Sequence, residues 1–285
     1  MSEPRPRSRR HRPRLTRDWR FWTGVGIFMF MLAFTYLGPL IYRQNPLLIH
    51  VNLMDQPPSL SFPLGTDNLG RSELARVMWG GQMILIVSLA STVGATLIGL
   101  AVGWASALGG RWADALGTWV TDIVLSVPQL VPILLIMNLY RLNTQALIAV
   151  VGLTSWPLVA RIVRAQTLSI KERPYIEAAQ SLGAGPLGLA GRHVLPNMGG
   201  TLLVALSNCL GATVLVVATA SFFGFSLPPP APNWATMIAY SSNAVFDGYW
   251  WLMIFPGLAL VLVELSANLV ADATHDVLAR QGGAS

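Results

Sequence analysis

Asp122 and Glu264 are carboxylates set inside long apolar stretches, and a charge in such a place is a candidate for intramembrane chemistry. As a pair they could relay protons. Alternatively, Asp122 could reach an interface or hold a neighbouring helix, and Glu264 could serve as an interhelical hydrogen bond or touch substrate. Enzymatic constellations are missing. There is no GxxxxGK[ST] loop to hold ATP, no HExxH, and no paired-cysteine spacing for a metal. His11, His50, His193 and His275 are scattered, and Ser155 and Ser221 lack the flanking glycines of a nucleophile elbow. The chain is therefore expected to be no enzyme and to hold no cofactor or metal. What is left is mechanical chemistry, in a polar island from Lys171 to Asn197. Pro174 suits a first helical position. Tyr175, Ala178, Ala179 and Leu182 recur as one narrow apolar stripe, the kind that lies in a groove of another protein. Gly183 is placed for a left-handed cap. Pro186 can open a second short helix, and Pro196 is expected to stop it.

The elements around this island must be membrane spans. Of 285 residues 53% are hydrophobic and 11% charged, against about 25% charged in soluble domains. The lone Cys209 excludes an intramolecular disulfide and reads as a small packed hydrophobe. The expected fold is all-α with six transmembrane helices. Residues 1–20 form a basic tail, expected to be disordered, and residues 21–42 a first span flanked by Trp19 and Trp22 as interface anchors. Residues 43–79 form an extracytoplasmic segment, and residues 80–285 a five-helix core containing the loop 171–197. Within that core the expected spans are Gln82–Leu108, Asp114–Tyr140, Gln145–Ala165, Met198–Phe225 and Tyr249–Val270, each at least as long as the ~20 residues a bilayer needs.

Local chemistry refines this outline. In the outer segment Thr66 or Asp67 could cap a short helix leading into the second span. Gly65 and Gly70 allow tight turns, and Asp67 and Arg71 could pair across one helical turn at an exposed site. Ala95, Gly99, Gly103 and Ala107 form a small-residue row for close helix packing, within this subunit or against a sister. Pro128 and Pro132 should kink the third span, on which Asp122, Ser126, Gln129 and Ile133 share a face. Trp156-Pro157 should break the fourth. Pro228 to Trp234 reads as a rigid outer loop, Trp250 and Trp251 as outer anchors, and Ala271 to Ser285 as a tail.

Glu177-Ala178-Ala179, then Gly183, then Leu195-Pro196 match the EAA loop of ABC-importer permease subunits, with His193 as in the peptide-transporter branch. Leu64 to Arg71, LGTDNLGR, resembles the LGTDxxGRD signature of peptide and nickel permeases, with Ser72 replacing the final Asp. Ser221 to Trp234 resembles the SFLGLG–PPxPxWG region, with Ser226 and Ala235 in place of glycines. Asn268, Leu269, Asp272 and Asp276 resemble the family's NLxxD…D ending, with Ala271 and Ala273 in place of glycines. The chain thus resembles the second permease of a dipeptide/oligopeptide/nickel-type ABC importer. The resemblance implies the type I permease fold and a coupling helix formed by Tyr175, Glu177, Ala178, Ala179, Leu182, Gly183, Leu195 and Pro196. Gly65, Thr66, Asp67, Gly70 and Arg71 would form an extracytoplasmic motif, and Asp122, Gln129 and Glu264 pathway or interhelix polar groups. It also implies partners: a homologous second permease, two ABC ATPase subunits that bind ATP and Mg²⁺, and an extracytoplasmic substrate-binding protein.

Charge gives an independent test of sidedness. Eight of the 19 basic residues fall in the first 20 positions, and with both termini inside, fifteen face the cytoplasm against Arg43, Arg71, Arg76 and Arg141 outside. That asymmetry obeys the positive-inside rule in a bacterial or archaeal cell membrane and places Glu177 in the cytoplasm. The basic tail reads as a topogenic signal near membrane lipid, not as a nucleic-acid site. A stand-alone proton-coupled transporter or channel using Asp122 and Glu264 is the rival function.

Overall fold

The structure is a computed structural model and describes residues 18–139, 144–225 and 230–282. The expectations for residues 1–17 and 140–143 and for Ser226, Pro228 and Pro229 lie outside the described residues. The described chain is helical, with no strand beyond one isolated bridge between Thr66 and Ser72. Five helices are long and apolar enough to cross a membrane, and one bent pair can make a sixth crossing.

Helix α1 (Trp19–Tyr36) is capped by Asp18, whose carboxylate accepts from Arg20 N at 2.9 Å, so the last two residues assigned to the tail are helical. The short α2 (Gly38–Ile41) carries the first crossing to Ile41. Helix α3 (Glu73–Leu108) has 36 residues and starts earlier than expected. At 1.5 Å per residue it is about 54 Å long, well beyond the hydrocarbon slab. Neither Thr66 nor Asp67 caps it. Ser72 does, accepting from Ala75 N at 3.5 Å. The polar residues that disguised this first stretch as loop are buried, Glu73 at 2% and Arg76 at 7% exposure.

Helix α4 (Arg111–Ser126) and α5 (Leu130–Leu139) meet at 76°, so the expected third span is interrupted and not a kinked helix. Pro128 lies in the break. The face expected to unite Asp122 with Ile133 is thereby split, with Ile133 fully buried and Asp122 exposed. Helix α6 (Thr144–Lys171) runs unbroken through Pro157 and six residues past the expected end. Trp156 and Pro157 are both buried there, and packing against neighbours sustains a proline-containing helix in lipid.

The small-residue row works within the subunit. A Cβ on Gly99 would stand 2.7 Å from Val159, and one on Gly103 2.7 Å from Val163, so α3 and α6 approach backbone to backbone.

Beyond α6 come α7 (Pro174–Ser181), α8 (Pro186–Gly188), a π turn at Leu189–Val194 and α9 (Leu195–Asn197). Pro196 does not stop this run. It falls in the first turn of α9, and the wider turn before it absorbs the missing N–H. Helix α10 (Gly199–Phe222) is the fifth crossing. A helix not expected from the sequence, α11 (Trp234–Ser241), capped by Asn233, begins at the last residue of the expected outer loop. Helix α12 (Trp251–Gly282) continues through the expected tail as far as Gly282, and residues 283–285 lie outside the described residues. Trp251 is no interface anchor. It is 5% exposed, and its Nε1 donates to the Thr66 carbonyl at 3.2 Å.

Two apolar cores result. One joins α1, α3, α5, α6, α10, α11 and α12 through residues such as Met31, Ile84, Val151, Val217, Trp234 and Val263. The other joins α3 and α6 to the 171–197 loop through Ala95, Val159, Val163, Ile170, Ile176, Leu189 and Val194.

Candidate functional site

The loop 171–197 is a protruding knuckle on a fixed base. Pro174 stands at the start of α7, following Arg173 in extended conformation. The end of α7 is a full Schellman closure: Gly183 N donates to the Gln180 carbonyl at 2.9 Å and Ala184 N to the Ala179 carbonyl at 3.0 Å. Gly183 holds φ +88°, and nothing lies within 4 Å of where its Cβ would be. The glycine is needed for backbone handedness and not for space.

The expected stripe splits between two faces. Tyr175 (43% exposed), Ala178 and Leu182 (89%) point outward, while Ala179 turns partly inward with Ala184. Ile176, which the apolar stripe left out, is 1% exposed and packs with Val163, Ile170, Leu189 and Val194. Its signal was available: it lies between two outward positions, on the side of the helix that must rest on something. Leu187, also outside the stripe, is 90% exposed beside Pro186. Leu195 is 37% exposed, Pro196 is exposed, and Asn197 Nδ2 donates to the His193 carbonyl at 2.7 Å. Glu177 sits exposed in the first turn of α7, where a negative charge complements the helix dipole. Three exposed apolar side chains, Tyr175, Leu182 and Leu187, crown an anchored base. Such a surface can grip a partner and pass displacement into α6 without internal slack.

At the opposite end of the bundle the motif from Gly65 to Arg71 forms a buried knot. Asp67 Oδ1 accepts from Leu69 N (3.0 Å) and Arg71 N (2.9 Å), and Oδ2 pairs with Arg71 Nε (2.7 Å) and Arg76 Nε (3.4 Å). The pair spans a loop and not a helical turn, and it is buried, not exposed, with the Arg71 and Asp67 side chains 12% and 9% accessible. Thr66 Oγ1 donates to the Leu53 carbonyl and accepts from Gln56 N. Gly65 and Gly70 both have positive φ, and a Cβ on Gly70 would overlap the His50 carbonyl. Burial, with Asp67 nearby, pushes the Asp55 carboxyl up. Trp251 and Trp234, whose Nε1 donates to the Val77 carbonyl at 2.6 Å, clamp the knot's surroundings from α12 and α11.

The membrane carboxylates do not meet. Asp122 pairs with Arg161 on α6 at 2.6 Å. Glu264 lies against Gly211 of α10, and its Oε1 accepts from Asn268 Nδ2 at 3.3 Å. Among the described residues no hydrogen bond or ion pair links the two. Gln129, at the α4–α5 break, donates to Thr154 Oγ1 (3.1 Å) and Ser155 Oγ (2.7 Å).

Comparison with known proteins agrees with this geometry. Residues 95–281 match the family described as binding-protein-dependent transport system inner membrane component. A protein of Brucella abortus named as a peptide permease is 37% identical over 243 residues, covering 85% of this chain and 80% of its own. One of Escherichia coli K12 named for a D,D-dipeptide transport system permease is 31% identical, covering 92% and 87%. The fold is similar to a chain in an inward-facing MetNI methionine ABC transporter, with a TM-score of 0.56, 20% identity, and coverage of 71% of this chain and 96% of that one.

Proposed function

Because this chain belongs to the family of binding-protein-dependent transport system inner membrane components, and is thus a transmembrane permease subunit of an ABC importer, we propose that it carries peptides or similar small solutes and is driven through the 171–197 knuckle. The knuckle is the coupling helix. Tyr175, Ala178, Leu182 and Leu187 enter a groove of an ATPase subunit, and the Ile176 anchor turns that grip into movement of α6. ATP and Mg²⁺ belong to two such ATPase partners, and this chain itself contributes no catalytic group. A homologous second permease completes the pathway, and an extracytoplasmic binding protein delivers cargo at the face bearing the Asp67 knot. The membrane is the bacterial or archaeal inner membrane.

The observation that carries the reading is the exposed apolar crown on a base continuous with the core. The same geometry bears on sidedness. Arg20 of α1 pairs with Asp276 of α12 at 3.4 Å, and Leu278 abuts Gly200 beside the loop, so α1 begins and α12 ends at the knuckle's end of the bundle. Together with the excess of basic residues there, this supports both termini in the cytoplasm. Separation of Asp122 from Glu264 favours this mechanism over a proton relay working alone.

The test is reconstitution of the chain in proteoliposomes with and without its ATPase subunits, binding protein and second permease. Uptake is expected only with ATP and all partners. Uptake by the isolated chain, driven by a proton gradient, refutes the proposal.

A further inference from the structure

Helix α4 turns its large apolar side chains away from the bundle. Trp112, Leu116, Trp119 and Ile123, at helical spacing, lie on its exposed side, with Trp112 at 87%. Its inner side is polar or small: Gly117, Thr118, Thr121 and Asp122 line a cleft of about 400 Å³ shared with Ser106 of α3 and with Arg161 and Arg164 of α6. Thr121 is its one buried residue, and only Val120 and Val124 pack partly into the core. Apolar zipping therefore contributes little to holding α4 against the bundle.

It packs closely on α3 at Gly117 and Ser106, and two ion pairs, two turns apart along the helix, tie it to α6. Arg164 grips Asp114 with two contacts, at 2.5 and 2.7 Å, and Arg161 meets Asp122 at 2.6 Å. The second pair is more than half exposed on both sides and lies about 16 Å along α4 from Arg111. A half-exposed ion pair that far along a crossing has to face water or protein, because lipid would penalise it. Both arginines sit on α6, within ten residues of its junction with the coupling loop. Helix α4 has a joint at each end: Gly109 and Gly110, the latter at φ +87°, join it to α3, and its far end meets α5 at a break. Its backbone breaks by 76° between Ser126 and Leu130, and Gln129 pins the break to Thr154 and Ser155, again on α6.

We propose that α4 is a gate flap, hinged at 109–110 and 127–129 and latched to α6 by Asp114–Arg164 and Asp122–Arg161. This rests on the coupling role of the 171–197 loop. Displacement of the knuckle moves α6, shears the latch, and opens the cleft to the cytoplasm. Ion pairs suit this task because they re-form with the same partners on each cycle, and in a watered cleft each is weak enough to break.

The test uses the assembled importer in proteoliposomes, after the wild type has been shown to couple uptake to ATP hydrolysis. Failure of that control refutes the coupling role. The latch is judged only where the control succeeds. Asp122→Asn and Arg161→Gln should each raise cargo-independent ATP hydrolysis at least threefold and lower solute moved per ATP. The charge swap Asp122→Arg with Arg161→Asp should restore both. Unchanged coupling in the single variants, or no restoration by the swap, overturns the latch.

A second measurement does not depend on those variants folding. Gly117 and Ser106 are close enough for a Cβ on the former to crowd the latter's side chain. In a Cys209→Ser background, Ser106→Cys with Gly117→Cys should stop uptake when oxidised and recover it on reduction. Undiminished uptake by the oxidised form shows that α4 need not swing, and overturns the flap.

Discussion

Substitution of Gly183 isolates the contribution of backbone handedness at the coupling loop. The residue holds φ +88° with no atom within 4 Å of the place a methyl group would take, so a side chain meets no obstacle. The whole cost is the left-handed conformation, roughly 1–2 kcal/mol for an L-residue. Asparagine tolerates that region better than alanine, and a β-branched residue tolerates it worst. Relaxing the turn breaks the Gly183 N to Gln180 and Ala184 N to Ala179 bonds and re-aims Leu187 relative to Leu182. A penalty of 1–2 kcal/mol lowers the fraction of knuckles in the gripping geometry by about 5–30-fold. The expected order of coupling is therefore Gly, then Asn, then Ala, then Val, with Gly183→Val retaining membrane insertion and fold. The assay is solute taken up per ATP hydrolysed in proteoliposomes, beside recovery of the ATPase subunits on the purified permease. Equal coupling across the four variants refutes the reasoning, as does an order set by side-chain volume with Asn worse than Ala.

Two further substitutions test the scaffold. Gly103→Leu should lower the thermal midpoint of the purified complex, because its Cβ would lie 2.7 Å from Val163 and 2.8 Å from the Ala160 carbonyl. Overpacking of that kind costs about 1–3 kcal/mol. Gly94→Leu, at a position with nothing within 4 Å, should leave the midpoint unchanged, and equal effects would contradict the α3–α6 contact. Asp67→Asn keeps an acceptor for Leu69 N and Arg71 N but strips the charge from two buried arginines. Breaking such a pair costs about 3–5 kcal/mol. Loss of thermal stability should appear with ATPase binding intact, and an unchanged midpoint would show that the knot is solvated.

The site was legible to the extent that it depended on local chemistry. Pro174, Gly183 and the short helix between them follow from φ preferences, and the helix formed with its glycine in the left-handed region. The outward set Tyr175, Ala178 and Leu182 followed from helical spacing. Placing Ala179 with them failed because a stripe of 3.6-residue period cannot say which edge a second contact will claim. Ile176, Leu189 and Val194 claimed that edge through α6. The Asp67–Arg71 pair was legible as a pair, but its burial depended on Arg76 and Trp251 arriving from α3 and α12.

By itself the sequence determined that this chain lives in a membrane, because its apolar runs can be solvated nowhere else. It likewise determined which end carries the positive charge and where a short polar helix interrupts the bundle. Only the tertiary structure decided that Pro157 and Pro196 stay inside helices, that Pro128 marks a 76° break, and that Asp122 is latched to Arg161. Proline removes one donor wherever it stands, but whether the helix bends depends on what packs around the freed carbonyl. Similarly, a lone carboxylate shows only that it needs a partner, and the fold chooses which arginine comes within reach.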